Sequence, residues 1–486
     1  MKVKYIARRQ WLFNFVLCAF TVSVFVQLLF GCKKLVDIEP PTTGVTGANV
    51  FETDATATAV LTGIYTSISS GGVGDAGLQS LSLLPGLTGD ELSLYKGTLS
   101  SVYNVYYLNA LSSTNTSGVD FWNKVYPVIF VANSAIEGLS NAGGLTPAVK
   151  KQLIGEAKFI RAFCYFYLVN LYGDVPLVTK IDYTINGVLP RASAEEVWRL
   201  IIDDLNEAKE LLSTGYLDPS LLNPTEQRVR PTKWAAIAML ARAHLYSKKW
   251  VEAEAEATSV IDESVSFGLE SLGNVFLANN HEAIWQLQPV LAGQNTADAK
   301  LFILPPSGPD IQTFPVYINP SLISSFEAED QRKVNWTNSV IAGSAIYYYP
   351  FKYKISTGTS SLTEYNTVLR LAEQYLIRAE ARAQQGNLSG AVSDLNIIRI
   401  RAGLQEYSGT IELSALLKAI LHERLVELFT EWGHRWLDLK RTNSIDTVMN
   451  VIDQQKGGNW SEHKQWYPIP LKELQANPNI HQNHGY

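Results

Sequence analysis

Two helix–turn–helix segments constrain this chain more than any other feature, because small residues stand where their helices would touch. Thr232 to Ser247 carries Ala235, Ala238, Ala241 and Ala243, and pairs with Val251 to Asp262 through Lys248-Lys249-Trp250. Leu369 to Gln385 pairs with Leu388 to Ala402 through Gly386-Asn387. Alanine at helical spacing lets two backbones approach closely, and so short a turn makes the helices antiparallel neighbours. Such a hairpin leaves apolar surface that only further units of its kind can cover, so about three or more are needed. Earlier segments supply them. Gln152 to Tyr172 is a long apolar helix. The helix running to Leu212 opens on a capping box, Ser193 with Glu196, and carries an apolar stripe of Val197, Leu200, Ile201, Leu205, Ala208 and Leu212. Ahead of these, helices are predicted over Phe51 to Ser67 and over Phe121 to Leu139, the second with Trp122, Tyr126, Ile129, Phe130 and Ile136 on its inner side.

From Glu282 to Tyr353 the texture changes. The helical period fades, prolines stand at 289, 305, 306, 309, 315, 320 and 350, and short β-rich runs such as Ala283 to Leu287 and Ile346 to Tyr349 take over. An insertion of this length in a helical frame is expected to be functional or disordered, and its aromatic content argues against disorder. The expected fold is therefore mainly α. A scaffold of helical repeats, with a period of about 34 residues like tetratricopeptide units, carries a loop-rich, partly β half built from roughly 70–120 and 280–360. Gly72-Val-Gly74-Asp-Ala-Gly77 has dinucleotide-loop spacing, but a helix precedes it where a strand is required, so it reads as a connection.

Near the end, Glu423, Glu427 and Glu431 recur every four residues beside Leu425, Leu428, Phe429 and Trp432, the pattern of an amphipathic helix that Gly433 would end. Arg435, Asp438, Lys440 and Arg441 follow as expected partners for the acidic stripe. A catalytic pair of Glu423 and Glu427 is the sharper reading, and a salt-bridged helix face the plainer one. His422-Glu423 begins like a zinc motif but has Val426 where the second His belongs. No nucleophile–base motif, metal-ligand spacing or phosphate loop remains, so neither cofactor, metal nor catalysis is expected.

The chain opens with Lys2, Lys4, Arg8 and Arg9, an apolar run from Trp11 to Phe30, and Gly31-Cys32. This order makes residues 1–31 a secretory signal, with an uncleaved anchor as the alternative because the run is long enough to span a bilayer. Leu29-Phe30-Gly31-Cys32 resembles a bacterial lipobox, which implies that Cys32 is lipidated, that 32–48 is a lipidated tether and that 49–486 follows as a single domain. Without the signal, 36 basic residues face 46 acidic ones, a net charge of −10 that does not suggest nucleic acid as a partner. Cys164 stands alone in an apolar helical run, where a buried thiol is the ordinary outcome, so no disulfide framework exists.

The run Glu423-Arg424 … Glu427 … Glu431 … Gly433 … Arg435-Trp436 … Asp438-Leu439 … Arg441 resembles the C-terminal signature of the SusD/RagB family of outer-membrane nutrient-binding lipoproteins. Tyr467-Pro-Ile-Pro470, Glu473-Leu474, Asn477-Pro-Asn479 and Gln482 to Tyr486 fit the same family, as do Trp122, Tyr126 and Asn133, the run Glu156 to Ala162, and Tyr172-Gly-Asp-Val-Pro176. The resemblance implies cell-surface binding of an oligosaccharide or related nutrient and its delivery to a TonB-dependent SusC-like porin, with attachment to the outer membrane through the N-terminal lipid. It places sugar-facing aromatics in the loop-rich half. The candidates are Tyr95, Tyr103 and Tyr107 with Asp90 and Asn104 from the first segment, and Phe314, Tyr317 and Trp336 from the second. A lipoprotein glycosidase and a pure protein-interaction scaffold are the rival readings.

Overall fold

The computed structural model describes residues 50–70, 80–115, 121–356, 358 and 361–486. The expected signal segment and tether, with Cys32, and the glycine run at Gly72 to Gly77 lie outside the described residues.

The helices of the frame stack in chain order, each packed on the next: Phe121–Asn141, Pro147–Tyr172, Ala194–Leu211, Lys233–Tyr246, Trp250–Asp262, Leu371–Gln384, Leu388–Arg401 and Leu413–Leu428. Local signals set their ends. Ser193 Oγ accepts from the Glu196 amide while Glu196 Oε2 accepts from the Ser193 amide, closing the predicted capping box. Gly386 takes the left-handed φ of 82° that the tight turn before Leu388 demands. Ala235, Ala238, Ala241 and Ala243 are fully buried at the contacts, as is Cys164. Phe130 is a correction: it is 47% exposed, because the buried stripe of its helix runs through Trp122, Val125, Ile129 and Ala132, and one residue further turns a side chain about 100° away.

Trp250–Asp262 packs directly on Leu371–Gln384 although residues 263–370 separate them in sequence. That insertion is closed at its base by the antiparallel pair Ala283–Leu287 and Asn366–Arg370, whose last residue leads straight into the next helix of the frame. Leu92–Leu94 pairs antiparallel with Val316–Ile318, with Ser93 opposite Tyr317, so the early loop-rich segment and the insertion share one two-stranded sheet. A hairpin of Thr337–Ala342 and Ala345–Pro350 lies beside it, its second strand against Val316–Ile318.

The acidic stripe differs from expectation in two respects. Its helix stops at Leu428, and the chain then turns through Thr430, Trp432 and Gly433, all at positive φ (52°, 48° and 72°), so Gly433 caps the next helix, His434–Arg441, and does not end the previous one. A β-branched residue at positive φ is strained. Here the turn is held from outside: the Thr430 amide donates to Glu91 Oε1, the Trp432 amide to Ser82 Oγ, and Trp432 Nε1 to the Thr367 carbonyl. The partners of the stripe also come from elsewhere. Arg332 meets Glu423 and Glu427 at 2.6 and 3.0 Å, and Arg370 meets Glu427 and Glu431 at 2.6 and 2.8 Å. Lys352 pairs with Glu431 and Arg401 with Glu427. The downstream cations are used differently, Arg435 on Asp90, Arg441 on Glu380 and Asp438, and Lys440 on the Asn170 carbonyl.

Candidate functional site

Four tyrosines meet where the two loop-rich segments join. Tyr95 follows the strand Leu92–Leu94, and its amide donates to the Pro315 carbonyl at 2.6 Å. Tyr317 stands on the partner strand, and Tyr347 reaches both from the hairpin: its ring centroid lies 5.9 Å from that of Tyr95 and 5.1 Å from that of Tyr317, both edge-to-face. Tyr107 ends the short helix Ser101–Tyr107, and its hydroxyl, like that of Tyr317, reaches Ser93. All four rings are half-buried. Rings that are packed yet keep a free surface lose little entropy on binding. Burial raises the phenols of Tyr107 and Tyr317, so both stay protonated at neutral pH.

A cavity of about 610 Å³ adjoins this cluster and takes in two more of the expected residues, Tyr103 and Phe314. Tyr103 sits one helical turn before Tyr107, with its phenol pushed up to about 12 by burial. Phe314 lies just ahead of the strand that carries Tyr317. Pro289, Leu291, Pro305 and Pro306 are among the other apolar residues of its wall, and Gln294, Thr296, Lys300 and Asn366 are among those that supply polar atoms. The size and the mix of apolar wall with a few convergent polar groups are those of a small-molecule site.

The remaining candidates are placed elsewhere. Trp336 is a correction: it is fully buried, its Nε1 donates to the Leu272 carbonyl at 2.8 Å, and its ring packs on Phe276 at 5.6 Å. Lys352 lies 5.0 Å from its ring centroid and Arg370 5.8 Å, so no face is left for a ligand. The helix Gln331–Trp336 turns it into a core that the loop-rich texture of its surroundings did not suggest. Asp90 is buried and both its carboxylate oxygens accept from Arg435, at 2.8 and 2.6 Å. Asn104 turns its amide nitrogen back to the Ser100 carbonyl at 3.0 Å. Both residues hold the loop in place. Tyr347 in the ring cluster and Asn366 in the cavity wall are not among the residues the sequence singles out. Tyr347 had a signal in the run Tyr347-Tyr348-Tyr349, whereas nothing around Asn366 distinguishes it from an ordinary strand residue.

The acid–base reading of Glu423 and Glu427 meets a sealed arrangement. Both are almost completely buried and share Arg332, and the Arg401, Arg370 and Arg332 guanidiniums hold the Glu427 carboxyl well below the usual carboxylate range against the opposing effect of burial. A carboxylate so held is a poor proton donor and has no path to a substrate. Among the described residues, no group of three or more His, Cys, Asp or Glu side chains is arranged to hold a metal ion.

The SusD family model matches residues 332–486, and a second family model, described as starch-binding and associating with the outer membrane, matches residues 51–245. A SusD-like protein of Formosa agariphila is 28% identical over 419 residues, 75% of this chain and 79% of its own length. A SusD superfamily structure from Bacteroides vulgatus superposes with a TM-score of 0.76 at 22% identity, covering 89% of this chain and 99% of the other. A surface glycan-binding protein from Bacteroides fluxus does so with a TM-score of 0.73 at 21% identity, again over 89% and 99%. The likeness to these structures extends the fold across the insertion, between the two segments that the family models match, and the chain belongs to the SusD/RagB family.

Proposed function

We propose that this protein is a non-catalytic glycan-binding lipoprotein of the outer membrane, held by lipid on Cys32, that captures an oligosaccharide on its loop-rich half and passes it to a TonB-dependent SusC-like porin. The observation that carries the reading is the convergence of Tyr95, Tyr107, Tyr317 and Tyr347 beside a cavity lined by Tyr103 and Phe314. Sugars present apolar C–H faces and rings of hydroxyls, and a surface of half-buried tyrosines with amide neighbours offers the complement to both. The binding roles named by relatives point the same way: one is a surface glycan-binding protein and another a laminarin-binding SusD-like protein. Delivery and anchoring follow from the family and from the residues around Cys32.

The test is a glycan panel run two ways with the mature protein. Retardation in affinity gels without release of reducing ends supports a binder, and Phe314→Ala with Tyr347→Ala should weaken it in a protein that melts like the parent. Release of reducing ends, lost in Glu423→Gln, would establish a hydrolase instead. Mild detergent extraction should bring down a barrel of much larger mass, and Cys32→Ser should leave the protein soluble in the periplasm, since stable anchoring needs at least two acyl chains.

A further inference from the structure

We infer that the cavity beside the tyrosine cluster takes an anionic oligosaccharide, one whose sugar rings carry a carboxylate or a sulfate ester. The inference rests on the glycan-binding reading and adds the charge of the ligand to it.

The chain carries 46 acidic and 40 basic residues, yet among the described residues that line this cavity there is no Asp or Glu, and the single charged side chain is Lys300. Lys300 is exposed, and its ammonium has no ion-pair or hydrogen-bond partner among the described residues. That sets it apart from Arg332, Lys352, Arg370 and Arg401, each bound to carboxylates in the interior.

A second observation points into the same space. Asn366 lines the cavity, is 3% exposed, and its Oδ1 has no hydrogen-bond partner. Its side chain also hydrogen-bonds the Asp298 carboxyl, which orients the amide with its nitrogen on the acid and leaves Oδ1 as the open acceptor. Buried acceptors are rarely left unpaired, and a sugar hydroxyl is the donor this one lacks.

Three carboxyls stand close behind the lining: Asp310 Oδ1 accepts from the Thr313 and Phe314 amides, Glu364 accepts from the Lys354 and Ile355 amides, and nearest to the open acceptor is Asp298. It is 5% exposed, lies behind Asn366, and burial pushes it up to about 7, with Lys352 acting against that rise and Glu431 with it, so its negative charge is reduced near neutrality. An exposed cation, an open acceptor and an apolar wall around Phe314 together suit a sugar that shows a hydroxyl, an apolar face and a negative group.

The experiment is calorimetry of the mature protein with three oligosaccharide probes of matched length: oligogalacturonate, a sulfated galactan oligomer and a neutral laminarin oligomer. An acidic probe should bind about two- to fivefold more tightly than the neutral one at low salt, and which acidic probe gains assigns carboxylate or sulfate. Lys300→Met should weaken that binding about two- to fivefold at low salt, Lys300→Glu more, and the differences should shrink at high salt because an exposed ion pair is screened. Lys300 is exposed, so both variants should melt like the parent. If the neutral probe binds as tightly as the acidic ones, with Phe314→Ala weakening it and Lys300→Glu without effect, the charge inference is overturned while the glycan reading stands. If no probe binds at any salt concentration, both fall.

Discussion

In the helical stack, neighbours in space are largely neighbours in sequence, whether the contact is made of short side chains, as from Ala235 to Ala243, or of rings, as where Phe166 meets Trp198 and Tyr246. Its buried ion pairs form several small separate sets: Arg161 and Lys158 share Asp204, Arg378 and Arg382 share Asp394, and Arg242 meets Glu373. The insertion is held differently. Arg332, Arg370, Arg401 and Lys352 form one connected buried network with Asp330, Glu282, Glu423, Glu427 and Glu431. Packing of small side chains tolerates loss in small steps, but a buried charge that loses its partner leaves an uncompensated ion. The frame therefore spreads its buried charges over several small sets, whereas the half that carries the site gathers them in one connected set at its seam.

The sharpest way to break this contrast is Arg370→Met. It removes the cation shared by Glu282, Glu427 and Glu431 and should cost about 3–5 kcal/mol, because each buried carboxylate loses a partner and only Arg332, Arg401 and Lys352 remain to balance them. Thermal unfolding followed by circular dichroism should show a markedly lower midpoint, with ligand binding lost before helix content. A melting curve equal to the parent's would mean that the network holds nothing in place.

Trp336→Ala comes next, at about 3–5 kcal/mol from the cavity left among Phe276, Lys352 and Leu272. The expected result is a destabilised protein. A variant that melted normally yet failed to bind glycan would return Trp336 to the site and undo its placement in the core.

The pH profile sharpens the comparison with a smaller effect. Arginine and lysine neighbours hold Glu427, Glu431 and Asp438 below the usual carboxylate range, outweighing burial. A carboxyl depressed by folding contributes stability above its unfolded pKa, and this is lost as pH falls through the folded value, so acid should weaken the seam. Burial instead pushes Glu91 up to about 8 and Asp298 to about 7. A carboxyl raised by folding contributes stability that is full below its unfolded pKa and is lost as pH rises through the folded one. The melting midpoint should therefore be highest at about pH 4–5, near the ordinary carboxylate values, falling in stronger acid and declining as pH rises toward about 8. In Glu91→Gln the alkaline fall should flatten. An unchanged alkaline limb in that variant would remove Glu91 from the account.

Much of the frame was legible in the sequence because its determinants are local: alanine spacing, the Ser193–Glu196 box and the Gly386 turn all act within a few residues. The seam was not. Arg332 and Glu427 lie 95 positions apart, and Asp90 and Arg435 345 apart, so the acidic stripe announced that it needed cations without saying which. The same separation explains the mixed reading of the site. Aromatic content marked the right segments, but whether a ring faces solvent depends on tertiary packing: the helix Gln331–Trp336 buries Trp336, while hairpin register brings Tyr347 to Tyr95 and Tyr317.

The smallest expected effect bears on that last point. Tyr347 touches both Tyr95 and Tyr317 edge-on but is itself only half-buried, so truncating it removes ring contacts and little core. An aromatic contact of this kind contributes about 0.5–1.5 kcal/mol beyond area burial. If a sugar ring stacks on the cluster, Tyr347→Ala should weaken binding about two- to tenfold, and Tyr347→Phe, which keeps the ring, should retain most of it. Calorimetry of both variants beside their melting curves separates the outcomes. Equal loss in the two variants would assign the effect to the hydroxyl and not to stacking. A lower melting point in Tyr347→Ala with unchanged affinity would make the cluster a structural joint between the two loop-rich segments and leave the cavity at Tyr103 and Phe314 to hold the ligand by itself.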